Sequence, residues 1–360
     1  MSSPRVASFD GLRAVAIGLV VIGHALENLV APGQVPEWLA QVVGNASFGV
    51  RLFFVLSGYL ITSLLLKEKE RFGRISLSKF YVRRTLRIFP AFYVYLGVMS
   101  GLAFSGAINV SGSQFVAAAT YTWNYAGTWV RDGTAEGWWF LGHLWTLALE
   151  EQFYLFWPFL FILLGGRWIS RFPWLIAALL PLVRVATYFL VPEWRGYLGM
   201  MFHTAIDSIL MGCGFALTRG WWAERLRLFT PKFFWACVIL VPGVLSPLLR
   251  WKFGGAYAVA LGFTVDALCV GAILVCLHED SFPNWVRRVL EHSASQWIGR
   301  LSYSLYLWQQ PFLTHFNETW SSQLPWCFVA ILAAACASYY LIELPVLRLK
   351  KRFERASLKS

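Results

Sequence analysis

The sequence predicts an all-α, polytopic transmembrane helix bundle of about ten spans, with both termini cytoplasmic. Three observations predict it. The chain is 58% hydrophobic and only 14% charged, with a mean hydropathy of +0.55, whereas a soluble domain carries roughly 25% charged residues. Apolar runs close to the ~20 residues that cross a bilayer recur along its length. The positive residues also fall into alternate loops, the asymmetry that orients helices in a membrane.

The spans, read from the apolar runs, are 12–30, 48–66, 86–104, 143–164, 172–191, 198–217, 231–249, 255–277, 298–316 and 325–345. Segment 114–127 (QFVAAATYTWNYAG) is too short and polar to span, and suits a re-entrant or interfacial stretch. The loop charges test this reading. With the N-terminus inside, the cytoplasmic side receives Arg5, then Lys67, Lys69, Arg71, Arg74, Lys79, Arg83, Arg84 and Arg87. It also receives Arg167, Arg171, Arg219, Arg225, Arg227, Lys232, Arg287, Arg288, Arg300 and the tail RLKKRFERASLKS. The outer side receives Arg51, Arg131, Arg195, Arg250 and Lys252. An eleventh span at 114–127 would invert everything after it and destroy the asymmetry.

The net charge of +12 is thus a matter of membrane topology, not of nucleic-acid binding. Nineteen Trp and fourteen Tyr suit interfacial belts and an aromatic-lined interior. The first apolar run is too long for a signal peptide, and no small-residue cleavage site follows it cleanly. Residues 1–360 read as one integral membrane domain, with a core of about 7–352 and a basic cytoplasmic tail at 353–360. No soluble domain is expected at either end, and no short tandem repeat is visible. The six cysteines, Cys213, Cys237, Cys269, Cys276, Cys327 and Cys336, all lie in apolar stretches without CxxC spacing. They read as small buried hydrophobes, not as a zinc site or disulfide framework. The longest loops are 67–85 inside and 105–142 outside. The outer one (YTWNYAGTWVRDGTAEGWWF) has a composition that suits stacking on a carbohydrate, and equally an ordinary interfacial loop.

Four segments carry candidate chemistry. In the first span, FDGLRAVAIGLVVIGHAL, Arg13 and His24 are eleven residues apart, close to a whole number of turns, so they share a face. Asp10 lies one turn before Arg13, placed to orient it. Charge at membrane depth is costly and usually functional. Arg13 also fits an interfacial, snorkelling side chain. His24 lies about 16 Å further along the axis, where a neutral imidazole is a usable general base near pH 7.

In the fourth span, GHLWTLALEEQFYLFWP, Glu150 and Glu151 are adjacent carboxylates in an apolar helix. His143, Glu150 and Tyr154 share a face, while Glu151 points about 100° away. The alternative is helix–helix hydrogen bonding. In the run FYVRRTLRIFP, Arg84 and Arg87 share a face at i, i+3, and Arg83 and Arg87 at i, i+4. Arginines at a bundle mouth can fork onto phosphates or simply anchor the inner side. Pro90 is expected to fix where the next helix begins. In the ninth span, GRLSYSLYLWQQPF, Ser302, Tyr303, Ser304, Tyr306, Trp308, Gln309 and Gln310 form a dense polar and aromatic set that fits a site or interhelical packing. In FFVLSGYLITSLLL, Ser57 and Gly58 fit close helix approach.

Together these segments resemble the bacterial acyltransferase-3 family of integral membrane acyltransferases. FDGLRAVAIGLVVIGHAL, FFVLSGYLIT, RRTLRIFP, HLWTLALEEQFYLFWP and SYSLYLWQQP match its characteristic stretches in order, and IELPVLRLKKR is similar to its last span. The resemblance runs from about residue 7 to 352. It implies transfer of an acyl group, often acetyl, from cytoplasmic acyl-CoA to a hydroxyl on a carbohydrate, within the inner (plasma) membrane. Family acceptors include lipopolysaccharide O-antigen, exopolysaccharide, peptidoglycan, and small glycosides or macrolides. His24 takes the place of the family's essential histidine and Arg13 that of its first-helix arginine. Arg84 and Arg87, beside Arg83, match its arginine motif. Glu150 matches the Glu that precedes its Gln-Phe-Tyr. Gln309 stands where the family usually has His, and Gln cannot titrate near pH 7. Some relatives carry a further extracytoplasmic hydrolase-like domain, for which this chain shows no counterpart.

The expected partners are therefore acyl-CoA (acetyl-CoA) as co-substrate, a carbohydrate or lipid-linked glycan acceptor, and membrane lipids. No permanent cofactor and no metal are expected. In the expected mechanism Arg84, Arg87 and Arg13 hold the donor phosphates and His24 deprotonates the acceptor hydroxyl. Glu150 positions the acceptor or tunes His24, and Tyr303 or Ser302 stabilises the oxyanion, with Tyr154, Trp145 and Gln309 lining the substrate. The competing class is a polysaccharide flippase or proton-coupled carrier using the same charges. It predicts paired broken helices in two related halves, which the sequence does not show. A non-catalytic scaffold would not need His24 and Glu150 at depth.

Overall fold

The computed structural model describes residues 7–31, 33–226, 239–279, 281, 283–316 and 319–348. These are helices and connecting turns, with no β-strand among the described residues. The basic tail at 353–360, with Arg5, Arg227, Lys232 and Cys237, lies outside them.

The chain opens with α1 (Ala7–Leu29), α2 (Glu37–Val43) and α3 (Ala46–Phe72), followed by α4 (Leu77–Phe104). Three short helices fill the next loop: α5 (Gly112–Ala119), α6 (Ala126–Trp129) and α7 (Ala135–Phe140). Then come α8 (Leu144–Leu164), α9 (Gly166–Leu190), α10 (Phe202–Ala205), α11 (Asp207–Leu217) and α12 (Arg219–Leu226). The order closes with α13 (Ser246–Phe253), α14 (Gly255–Tyr257), α15 (Phe263–His278), α16 (Asn284–Leu290), α17 (Ser293–Trp308) and α18 (Trp326–Ser338).

Among the described residues, seven helical stretches are long and apolar enough to cross a membrane: Ala7–Leu29, Glu37–Phe72, Leu77–Phe104, Leu144–Leu164, Gly166–Leu190, Gly255–His278 and Trp326–Arg348. Three of the expected spans are not among these seven. Span 198–217 is a turn, the single turn of α10 and the eleven-residue α11. Span 231–249 lies partly outside the described residues. Span 298–316 leaves the helix at Trp308 and continues as turns. Segment 114–127 does not span; it forms α5 and a short turn of helix leading into α6.

The chain divides into two compact units. The first comprises Met1–Arg74 and Leu149–Ser302. Here α3 is central, packed by α1, α11 and α15. Phe9, Leu12 and Ala16 of α1 meet Leu52, Val55, Leu56 and Tyr59 of α3, with Met211, Phe215, Val270 and Leu274 behind them. Lipid tails are as apolar as these side chains, so close packing, not escape from water, holds such helices together. Glycines permit that packing. A Cβ on Gly58 would run into the Ile209 carbonyl oxygen, and one on Gly212 into that of Val55. The close approach expected at Gly58 is therefore made against α11.

The second unit comprises Ile75–Ala148 and Tyr303–Ser360. Its axis is α4, which corrects the expectation at Pro90. α3 stops at Gly73, which caps it in the left-handed region at φ 67°. Ser76 then caps α4 by accepting from the Lys79 amide. From there one helix of 28 residues runs straight through Pro90. A proline inside a helix deletes one i→i−4 bond but does not oblige the helix to begin there. At 1.5 Å per residue α4 is about 42 Å long, against a ~30 Å hydrocarbon core. The surplus is the arginine-bearing end.

The loop after α4 is ordered from within. Ser111 and Gln114 form a capping box, and the fully buried Gln114 amide exchanges hydrogen bonds with the Thr134 backbone, donating to its carbonyl at 3.1 Å and accepting from its amide at 3.2 Å. Tyr121 stacks on Phe92 with ring centroids 4.5 Å apart, and Trp123 packs edge-on to Trp138. Several of the aromatic rings that suggested a stacking surface are thus spent on the loop's own packing.

Candidate active site

In the first unit, α1 places its three candidates as the helical period requires. Arg13 Nη1 donates to Asp10 Oδ1 at 2.7 Å, with Asp10 fully buried and Arg13 mostly so. The carboxylate therefore orients the guanidinium, as its position one turn away implies. Three turns on, His24 is half-buried. Its carbonyl accepts from Asn28 Nδ2 at 2.9 Å, which tightens the last turn of the helix. Close contacts hold α1 in place: a Cβ on Gly11 would meet the Leu290 carbonyl, and one on Gly299 the Asp10 carbonyl. The helix face bearing Asp10 thus lies directly against the chain at 290 and 299.

α8 carries Glu150 and Glu151, both half-buried. Tyr154, one turn beyond Glu150, is buried, and its hydroxyl shares a hydrogen bond with Ser57 Oγ of α3. Trp157 Nε1, a further turn on, donates to Thr62 Oγ1 at 3.0 Å. The polar groups of this helix thus form a ladder against α3. Ser302, on α17, is also buried.

In the second unit, Arg83 and Arg84 are half-buried near the start of α4, while Arg87 is exposed and acts electrostatically on the buried Glu343. Glu343 accepts a hydrogen bond from Ser304 of α17. The Tyr303 hydroxyl donates to the Ile88 carbonyl at 2.8 Å. To stabilise an oxyanion it would first have to leave that bond. Gln309 is fully buried and turns back on its own helix end, Nε2 donating to the Tyr306 carbonyl at 3.3 Å. Trp145 is half-buried on α8.

His143 departs from the expectation. It precedes α8, so the shared helical face with Glu150 and Tyr154 does not extend to it. It is buried beside Tyr95 and Tyr306, with Nε2 3.2 Å from the Leu307 carbonyl. Its own carbonyl accepts from the Tyr306 and Thr146 hydroxyls. This histidine ties the start of α8 to the end of α17.

Two groups escaped the sequence reading. Glu343 closes the Ser304 contact from the IELPVLRLKK segment. Arg184, Asp207 and Asp266 are wholly buried in apolar helices of the first unit. The signal for each was present, a charge inside an apolar span, but each stands alone in sequence.

The family model described as an acyltransferase domain matches residues 6–343. The chain is 30% identical, over 96% of its own length, to a peptidoglycan O-acetyltransferase, OatA, of Listeria monocytogenes, covering 56% of that protein. It is likewise 30% identical to the O-acetyltransferase OatA of Staphylococcus aureus, over 96% of this chain and 58% of the relative. A putative O-acetyltransferase of Staphylococcus aureus strain COL is 29% identical over 84% of this chain and 50% of its own length. The chain thus spans about half the length of these curated relatives. No solved structure matches it significantly. With a family model matching residues 6–343, nearly the whole chain, this chain belongs to the acyltransferase-3 family.

Proposed function

We propose that the protein is an O-acyltransferase of the plasma membrane. It moves an acyl group, acetyl in the simplest case, from acyl-CoA to a hydroxyl of a cell-envelope glycan. The observation that carries this reading is α1: a buried Asp10–Arg13 ion pair at one end and His24 on the same face about 16 Å away. The acetyl and glycan parts follow from the relatives, one of which bears the name of a peptidoglycan O-acetyltransferase.

In this reading the three arginines of α4 bind the phosphates of the donor, since guanidinium forks match phosphate oxygens. His24 takes the proton of the acceptor hydroxyl as that oxygen attacks the thioester carbonyl. The carbon–sulfur bond then breaks, and the proton passes from His24 to the departing CoA thiolate. Atoms and charge balance without a metal or an acyl-enzyme. Glu150 supplies a carboxylate to position the acceptor. Asp10 holds Arg13 in place.

The test is transfer of radiolabelled acetyl from acetyl-CoA to isolated envelope glycan by purified protein. His24→Ala should lower the rate by about a hundredfold to ten-thousandfold, the usual contribution of a general base, with acetyl-CoA binding retained. Wild-type rates in a well-folded His24→Ala protein would overturn the assignment. Proton-coupled transport of glycan with no acetyl transfer would place the same charges in a carrier.

A further inference from the structure

The far end of α1 carries a feature that the reaction above does not use. The loop charges place this end outside. A Cβ on Gly23, the residue before His24, would lie 2.6 Å from the Gly44 carbonyl oxygen. The corner between α2 and α3 therefore rests on the same turn of α1 as His24. Leu26 and Val30 follow at i, i+4 and share one face. They lie about 3 Å and 9 Å further along the axis than His24.

Between that face and α2 lies an open pocket of about 140 Å³, whose lining includes Leu26, Val30, Val35, Ala40 and Glu37. Its walls are aliphatic apart from one carboxylate. Glu37 opens α2, where the helix dipole favours negative charge. That accounts for an acidic residue at this position, but not for how its carboxylate is held. Trp251 of α13 donates from Nε1 to Glu37 Oε2 at 3.2 Å, which fixes the side chain at the pocket. A carboxylate accepts through both oxygens, so Oε1 is left to accept from a ligand.

Size and chemistry together select that ligand. Whole ligand sites run to roughly 300–1,000 Å³, so this pocket takes one substituent, not a complete molecule. A hydroxyl alone would leave the aliphatic walls uncovered. An alkyl chain alone would bury a carboxylate without giving it a donor, which is costly. A free ammonium would satisfy the carboxylate but set a charge against the aliphatic walls. An acetamido group has both halves, a methyl for the walls and an N–H for Glu37.

We propose that this pocket receives the acetamido group of an N-acetylated amino sugar in the glycan acceptor. The methyl packs on Leu26, Val30 and Val35, and the N–H donates to Glu37 Oε1. The sugar ring sits at the mouth, beside the exposed indole of Trp251, one to two helical turns beyond His24. That the bound sugar is the acceptor rests on the acyl-transfer reading; the binding itself does not.

The experiment is calorimetry on the full chain in nanodiscs with two soluble tetrasaccharides, chitotetraose and cellotetraose. They share one backbone and differ in carrying an acetamido group or a hydroxyl beside the anomeric carbon of each ring. The wild type should bind chitotetraose at least about tenfold more tightly, the scale of one charge-assisted hydrogen bond. Ala40→Phe fills the pocket and keeps Glu37, and should abolish that preference with acetyl-CoA affinity unchanged. Glu37→Leu removes the acceptor and should do the same, so one variant suffices if the other fails to fold. Equal affinity for the two sugars in the wild type, or a preference that survives in either folded variant, would overturn the proposal. Acetyl transfer by the same preparation separates the two readings. Transfer without the preference removes this subsite and leaves the enzyme. The preference without transfer keeps the subsite and removes the acyl-transfer reading.

Discussion

At the scale of single residues, sequence spacing reveals a charge pair when both members share a helix, and conceals it when they do not. Asp10 and Arg13 are one turn apart, and their ion pair is legible from that alone. Arg184 and Asp207 are 23 residues apart on different helices, and only the tertiary packing of α9 on α11 joins them. Both are fully buried, so removing one partner strands the other. Asp207→Asn should therefore lower stability by about 3–5 kcal/mol, read as a drop in thermal unfolding temperature in detergent. Replacing both residues with apolar ones should recover much of the loss. The α4 arginines make a different prediction, because they are only partly buried and Arg87 is exposed. Arg84→Gln with Arg87→Gln should weaken acetyl-CoA binding by about tenfold to a hundredfold per lost charged hydrogen bond. Unaltered acetyl-CoA affinity by calorimetry would remove them from the donor site.

Helix contacts were legible where a small residue marked them. Gly58, in the stretch FFVLSGYLIT, is where α3 meets α11 so closely that a Cβ would strike the Ile209 carbonyl. Gly58→Leu should cost about 1–3 kcal/mol or more through overpacking, seen as a lower unfolding temperature. Gly97→Leu on α4 is the control. Nothing lies within 4 Å of a Cβ at that position, so stability should not change. Helix ends were less legible. Pro90 read as a beginning because proline favours the first turn, yet α4 passes through it, since packing outweighs one lost hydrogen bond. His143 read as part of a helical face, yet the helix starts at Leu144, and the imidazole instead binds the carbonyl of Leu307.

At the scale of the whole chain, the number of crossings decides on which side each loop lies, and the charge pattern and the helix lengths give different counts. The loop charges call for about ten spans, while seven helices among the described residues are long and apolar enough. The two expected spans between α9 and α15 that are not among the seven leave the side of every later loop unchanged whether both cross or neither does, so the disagreement turns on α17. That helix has 16 residues, about 24 Å, short of a ~30 Å core, and Arg300 is exposed midway along it. The chain nevertheless continues past Trp308 in a form suited to membrane depth. Irregular backbone is tolerated there only where protein covers it, and Gln309, Gln310, Leu313 and Thr314 are all buried. Within this segment Phe312 and Leu313 donate their amides to the Gln309 carbonyl. A broken span is therefore the reading that satisfies both the charge count and the backbone. It places Gln323, exposed just before α18, on the outer side, whereas seven crossings would place it inside. In a cysteine-free background, Gln323→Cys should react with a membrane-impermeant maleimide in intact cells, as Ala107→Cys should. Ser78→Cys should react only after permeabilisation, because it follows the basic end of α3. Protection of Gln323→Cys until permeabilisation, with Ala107→Cys labelled, would show that α17 and its buried turns do not cross.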